Sequence, residues 1–183
     1  MSNPRGRSHE EPRTLRLFFA LWPQDAVRDR LFEAGRALHA QCGGRLVPRV
    51  QLHQTLLFLG SVARERVPEI SAWLNVLRVP AFSLPFGSIG YWRRNQIVWA
   101  APLATPQPLL TLVSALQGRA RAGGFKIEDR PYASHVTLLR DARAPELLPE
   151  LAFEWPASEC ALLQSVSAAH GVEYRVLARA ALA

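Results

Sequence analysis

Lysine is almost absent from this chain of 183 residues, because Lys126 is the only member of its 22 basic residues that is not arginine. Cysteine is scarce as well. Cys42 and Cys160 stand far apart, with no CxxC and no nearby histidine, which excludes a disulfide framework and a zinc knuckle and points to a reducing, cytoplasmic setting. No apolar run reaches the length of a membrane span, so no membrane partner is expected. The opening stretch "MSNPRGRSHEEPR" lacks the apolar core of a signal peptide and reads as a flexible basic tail over residues 1–13. Residues 14–183 then form one domain of ordinary size, and 49% apolar content is enough for a sizeable core.

The net charge of +7 is carried almost wholly by arginine, whose planar fork suits phosphate oxygens, so a polyanionic partner fits the composition. Along the chain, strand and helix patterns alternate. "TLRLFFALW" is a short apolar run that reads as a buried strand. Pro23 then opens a helix marked by Val27, Leu31, Ala34 and Leu38 and stopped by Gly43-Gly44. A second helix is expected over Val67, Ile70, Leu74 and Leu77, followed by a strand-rich stretch ending at Trp92 and a strand in "NQIVWAAP". A third helix, on Leu109, Leu112, Val113 and Leu116, ends at Gly123-Gly124. Two further strands, "CALLQSVS" and "EYRVLAR", meet at a turn around His170-Gly171.

His-x-Thr-Leu-Leu occurs twice, in "HQTLLFLG" from His53 and in "HVTLLR" from His135. Each copy follows the same series: apolar strand, proline, helix, Gly-Gly, then the histidine strand. This predicts an internal duplication, with two strand–helix–strand lobes about a pseudo-two-fold axis and one histidine strand in each. In an extended strand, residues i and i+2 share a face, so His53 and Thr55 point together, as do His135 and Thr137, while Gln54, Leu56 and Phe58 point away. Two imidazole–hydroxyl pairs facing one cleft can run phosphoryl transfer without a metal. A neutral histidine takes a proton from the nucleophile, a protonated one gives a proton to the leaving oxygen, and the hydroxyls hold phosphate oxygens. Two histidines with no cysteine or carboxylate at ligand spacing leave a zinc site short of ligands, so neither metal nor cofactor is expected. His9, His39 and His170 read as solvated.

The segments "RLFFALWP", "LHQTLLFLG", "IVWAAP" and "RPYASHVTLLRDA" resemble the signature segments of the bacterial RNA 2',3'-cyclic phosphodiesterases. These enzymes, historically called 2'-5' RNA ligases, belong to the two-histidine phosphoesterase superfamily, and the resemblance runs from about Arg16 nearly to the end of the chain. It implies a bilobal α+β fold with two antiparallel sheets flanking a central cleft. It also implies metal-independent hydrolysis of an RNA-terminal 2',3'-cyclic phosphate to a 2'-phosphate, with 2'-5' RNA ligation as related chemistry. In that scheme His53 protonates the leaving 3' oxygen, His135 activates water, and Thr55 and Thr137 hold the phosphate. The family pattern places Arg130 near the phosphate, with capping of backbone carbonyls at the strand entry as its alternative; Phe19, Tyr132 and Trp99 are candidates for stacking on a base, with core packing the favoured role for Phe19 and Trp99. The partner is RNA with a 2',3'-cyclic phosphate end, tRNA fragments included, and the protein acts as a monomer. Ser134 departs from the family, which often has proline before the second histidine; no reactive group is lost. Two alternatives stay open at this point: an RNA-binding module without turnover, and an esterase for a small cyclic nucleotide.

Overall fold

The computed structural model describes residues 12–168 and 171–183. His9, His170 and most of the expected tail fall outside them. Of the tail, Pro12 and Arg13 lead directly into the first strand, and the Arg13 carbonyl accepts a hydrogen bond from the Arg64 amide at 3.0 Å.

Among the described residues, nine strands form two antiparallel sheets. The first holds β1 (Thr14–Leu21), β3 (Gln54–Ala63), β8 (Glu159–Ala168) and β9 (Gly171–Ala181), in the order β3-β1-β8-β9. The second holds β2 (Arg45–Leu46), β4 (Phe82–Trp92), β5 (Ile97–Pro102), β6 (Val136–Arg140) and β7 (Phe153–Ala157), in the order β2-β6-β5-β4-β7. The duplication is visible in these orders. Each histidine strand, β3 or β6, pairs with the strand that opens its own repeat, β1 or β5, and a hairpin strand and its partner follow. The repeats are not consecutive halves, because the C-terminal hairpin β8–β9 completes the first sheet.

The helices cross over between the repeats. α1 (Asp25–Cys42) follows β1 but lies against β2 and β6 of the other sheet, and α3 (Gln107–Ala122) follows β5 but lies against β3. Each helix therefore buries its apolar stripe, Val27, Leu31, Ala34 and Leu38 in α1 and Leu109, Leu112, Val113 and Leu116 in α3, at the expected helical spacing. Gly44 fits the approach to β6. A Cβ there would lie 2.5 Å from the Arg140 carbonyl, and its φ of +77° suits glycine alone.

Sequence and structure differ at three elements. The second helix ends early, as α2 (Val67–Ala72), and continues as a 3-10 turn over Leu74–Val76, with the Trp73 ring between them stacked on Phe19. β7 was not expected, because Pro156 interrupts its pattern; at a sheet edge the missing N–H costs no ladder bond. β2, at two residues, is too short to carry a periodicity.

The apolar side chains of β1 divide between two faces. Leu15, Leu17, Phe19 and Leu21 enter the main core, whereas Phe18 and Ala20 join Ala161 and Leu163 in a small separate cluster on the opposite face. That second face is the wall of the cleft.

Candidate active site

His53 and His135 sit at the start of β3 and β6 and are held alike. The Nδ1–H of His53 donates to the Gln51 carbonyl at 2.6 Å, and the Nδ1–H of His135 donates to the Ala133 carbonyl at 2.8 Å. A carbonyl can only accept, so each contact fixes the tautomer with its proton on Nδ1 and leaves Nε2 for the cleft. The His53 Nε2 lies 3.1 Å from the Thr55 hydroxyl, which places this pair on one face as the strand period requires. Thr137 stands at the matching place on β6.

Both histidines are boxed by aromatic rings. Phe18 and Tyr174 each lie 5.0 Å from the His53 ring, and Trp22 lies 5.9 Å from it. Trp92 meets His135 edge-on at 4.5 Å and packs on Trp99 at 5.6 Å. Burial in these boxes disfavours the charged ring. It pushes His53 down to about 4, against the pull of the Gln51 carbonyl and with help from the charges of Arg140, His135 and Arg28. His135 is also lowered, first by burial, against the Ala133 carbonyl, and then by Arg130 and Arg140.

Both histidine strands bulge at the same position. Ala20 pairs with Thr55 and Phe19 with Leu57, skipping Leu56; Trp99 pairs with Thr137 and Val98 with Leu139, skipping Leu138. The skipped residue turns into the core, so Leu56 and Leu57 are both buried. The bulge also corrects an expectation drawn from strict alternation. Phe58 does not point away from the histidine; it pairs with Phe18 on the cleft face and is 44% exposed.

A cavity of about 500 Å³ opens beside Thr55, Phe58, Trp92, Tyr132 and His135. Arg130 lines its mouth, 76% exposed, with its Nε on the carboxylate of Glu128. Tyr132 also lines it, but its hydroxyl is committed: it donates to the Thr55 carbonyl at 3.1 Å and accepts from Gln54 Nε2 at 3.0 Å, tying the second motif to the first. Burial raises the phenol further and keeps it neutral. Phe19, offered as a stacking ring, is fully buried on the core face against Trp73 and presents nothing to a base. Trp99 lies across Gly90, where a Cβ would come within 2.1 Å of its ring, and so backs Trp92. The sequence reading missed Phe58, Trp92, Tyr174 and Arg140. Aligning the two motifs pairs Phe58 with Arg140, but only the bulge reveals their face.

His39 is exposed, as expected, and its Nε2 lies 3.1 Å from the Gly44 carbonyl. Cys42 and Cys160 are buried free thiols. Among the described residues no group of three or more His, Cys, Asp or Glu could hold a metal, and no helix is long and apolar enough to cross a membrane.

Two imidazole–hydroxyl pairs on duplicated strands of two antiparallel sheets, with Thr55 of one pair and His135 of the other lining a single cavity, are the arrangement of a two-histidine phosphoesterase. Comparison with known proteins narrows the class. The LigT like Phosphoesterase family matches residues 21–99. The RNA 2',3'-cyclic phosphodiesterase of Escherichia coli (strain K12) is 34% identical over 170 residues, covering 91% of this chain and 96% of that protein. The RNA 2',3'-cyclic phosphodiesterase of Thermus thermophilus is 32% identical over 185 residues, covering 92% of this chain and 90% of that protein. The crystal structure of E. coli LigT in apo form superposes with a TM-score of 0.85 at 31% identity, over 93% of this chain and 99% of that one. The chain belongs to the LigT-like phosphoesterase family.

Proposed function

We propose that this protein hydrolyses the 2',3'-cyclic phosphate at an RNA end to a 2'-phosphate, using its two histidines as acid and base and no metal. The matched hydrogen bonds of His53 and His135, which leave both Nε2 atoms to the cleft, carry this reading, and the names of the similar proteins agree with it. His135 Nε2 takes a proton from water as the water oxygen bonds to phosphorus. The bond from phosphorus to the 3' oxygen breaks, and His53 Nε2–H delivers the proton that makes the 3' hydroxyl. Thr55 and Thr137 hold non-bridging oxygens, and the Arg130 guanidinium, released from Glu128, adds charge at the cavity mouth.

His53 at about 4 is neutral in the free protein at pH 7, so its proton has to arrive with the substrate. A phosphodiester anion in the cleft supplies the reason, because a nearby negative charge favours imidazolium. With an RNA hydroxyl in place of water the same site joins ends by a 2'-5' bond. The protein acts as a monomer on RNA fragments, those of tRNA among them, and its buried thiols suit the cytoplasm.

The test is incubation with a short RNA ending in a 2',3'-cyclic phosphate, in EDTA, with mapping of the terminal phosphate. The expected product is a 2'-phosphate, with turnover reduced by at least about 10²-fold in His53→Ala and in His135→Ala. Turnover that survives either substitution, or that EDTA abolishes, refutes the mechanism. RNA binding without product refutes the enzyme.

A further inference from the structure

His53 and His135 occupy equivalent places on the two histidine strands, but the aromatic groups packed on them end differently. His135 meets Trp92, and Trp92 packs on Trp99, a second neutral indole. His53 is stacked against Trp22, at 5.9 Å and 25° between ring planes. What meets Trp22 is a cation: the guanidinium carbon of Arg28 lies over the indole, 4.8 Å from its centroid. Trp22 follows β1 directly and Arg28 stands in the first turn of α1, so the corner at Pro23 brings the two together.

Little else holds the Arg28 side chain. It is 13% exposed, its Nη1 reaches Asp25 at 3.4 Å, and its Nε and Nη2 are buried with no acceptor among the described residues. Two unpaired donors on a buried cation are costly, and the indole face is the group that offsets them. Arg28 lines a separate cavity of about 410 Å³ with Trp22, Asp25 and Arg179, and it is absent from the lining of the catalytic cavity. Its place is behind the site, not in contact with substrate.

The Arg28 charge nonetheless bears on His53. Around that ring, α1 brings Arg28, β6 brings Arg140 and His135, β9 brings the Tyr174 phenol and β1 brings the Phe18 ring; the three charged groups all oppose its protonation. A cation already over the indole also competes with imidazolium for one π system, because both are drawn to the same quadrupole. Neutral His53, with its proton on Nδ1, accepts the Thr55 hydroxyl at Nε2, so the two satisfy each other in the free protein. We propose that Arg28, acting through Trp22, is a positioning residue for His53: it holds the indole against the imidazole and keeps that ring uncharged until a phosphate anion enters the cleft. This rests on the function proposed above and makes proton delivery conditional on substrate.

The experiment follows the His53 ring by NMR in histidine-labelled protein, with its signal assigned from His53→Asn, and records kcat against pH on a short RNA ending in a 2',3'-cyclic phosphate. Arg28→Met raises the His53 titration midpoint by roughly half a pH unit, the scale of one charge acting through a partly screened site. One limb of the kcat profile moves up by the same amount while the other stays, and KM and its salt dependence do not change. Arg28→Lys, which keeps a cation on the indole, restores the wild-type midpoint. Asp25→Asn removes the carboxylate beside Arg28, at a side chain 76% exposed, and shifts His53 in the opposite direction. An unmoved midpoint in Arg28→Met overturns the proposal. So do shifts of the same sign in Arg28→Met and Asp25→Asn, which show a loosened corner and not a charge. A raised KM with a flatter salt dependence places Arg28 on the RNA and overturns it too. Should Arg28→Met not fold, the Arg28→Lys and Asp25→Asn titrations decide. A wild-type protein that turns over no cyclic phosphate is a different result: it rejects the enzymatic reading, and the titrations still judge the Arg28 contact.

Discussion

Removing the Tyr132 hydroxyl, as in Tyr132→Phe, tests whether the second motif is fastened to the first through one phenol. That hydroxyl satisfies Gln54 Nε2 at 3.0 Å and the Thr55 carbonyl at 3.1 Å, and Gln54 is fully buried with its Oε1 already lacking a partner. Phenylalanine therefore leaves a buried amide donor and a backbone acceptor unpaired. A buried orphan costs about 1–3 kcal/mol, so the pair amounts to roughly 2–6 kcal/mol, with no compensating gain in packing from an isosteric ring. For a domain of this size, about 2–4 °C of Tm per kcal/mol converts this to a fall on the order of 8 °C. The assay is urea unfolding of Tyr132→Phe, Gln54→Leu and the double variant. Because Gln54→Leu removes the donor as well, the double variant should be less destabilised than the sum of the singles, by at least about 1 kcal/mol. A Tyr132→Phe loss below about 0.5 kcal/mol, or strict additivity, would refute the fastening. The link also sets His53 and Thr55 against His135, so kcat should fall more than KM rises.

The histidine boxes imply a pH dependence of stability. His53 is held at about 4 when folded and returns to about 6.5 when unfolded, so the unfolded chain binds more protons between these values. Its contribution is fully present above pH 6.5 and is lost as pH falls towards 4, to a limit of about 3 kcal/mol. Subtracting the unfolding profile of His53→Asn from that of the wild type should isolate this slope, and a flat difference would show that the ring is not desolvated. At Gly90 an added Cβ would lie 2.1 Å from the Trp99 ring. Gly90→Ala should therefore cost about 1–3 kcal/mol, shift tryptophan fluorescence and lower turnover through Trp92 and His135. An unperturbed spectrum would show that Trp99 has room to move and does not set the second histidine.

The repeated His-x-Thr, the proline-opened helices with their Gly-Gly stops, and the matching order of parts were all legible in the sequence. Each rests on local rules: helical spacing of apolar residues, strand period at His53 and Thr55, and the conformational freedom of glycine. The duplication could be read for the same reason, since a repeat is a comparison of the chain with itself. What the strands would bury was legible only until the period broke. The bulge at Leu56 and its twin at Leu138 each insert one residue into the ladder, a second shift follows at Leu59, and no residue type there announces them. Phe58 was therefore assigned to the wrong face. Phe19, a stacking candidate with core packing as its favoured role, is a core residue, one step along the strand from Phe18 on the cleft face.

Tertiary structure alone decided which helix covers which sheet, because α1 and α3 carry apolar stripes that fit either sheet equally well in sequence. It also decided the tautomers of the two histidines, set by carbonyls at Gln51 and Ala133 that come into reach only when the strand entry has folded. Tyr132 reads as a free ring until β3 arrives beside it. The sequence by itself determined the reactive groups and their doubling, since those follow from residue identity and spacing. Their faces, partners and protonation depend on long-range contacts and burial, which exist only in the assembled fold.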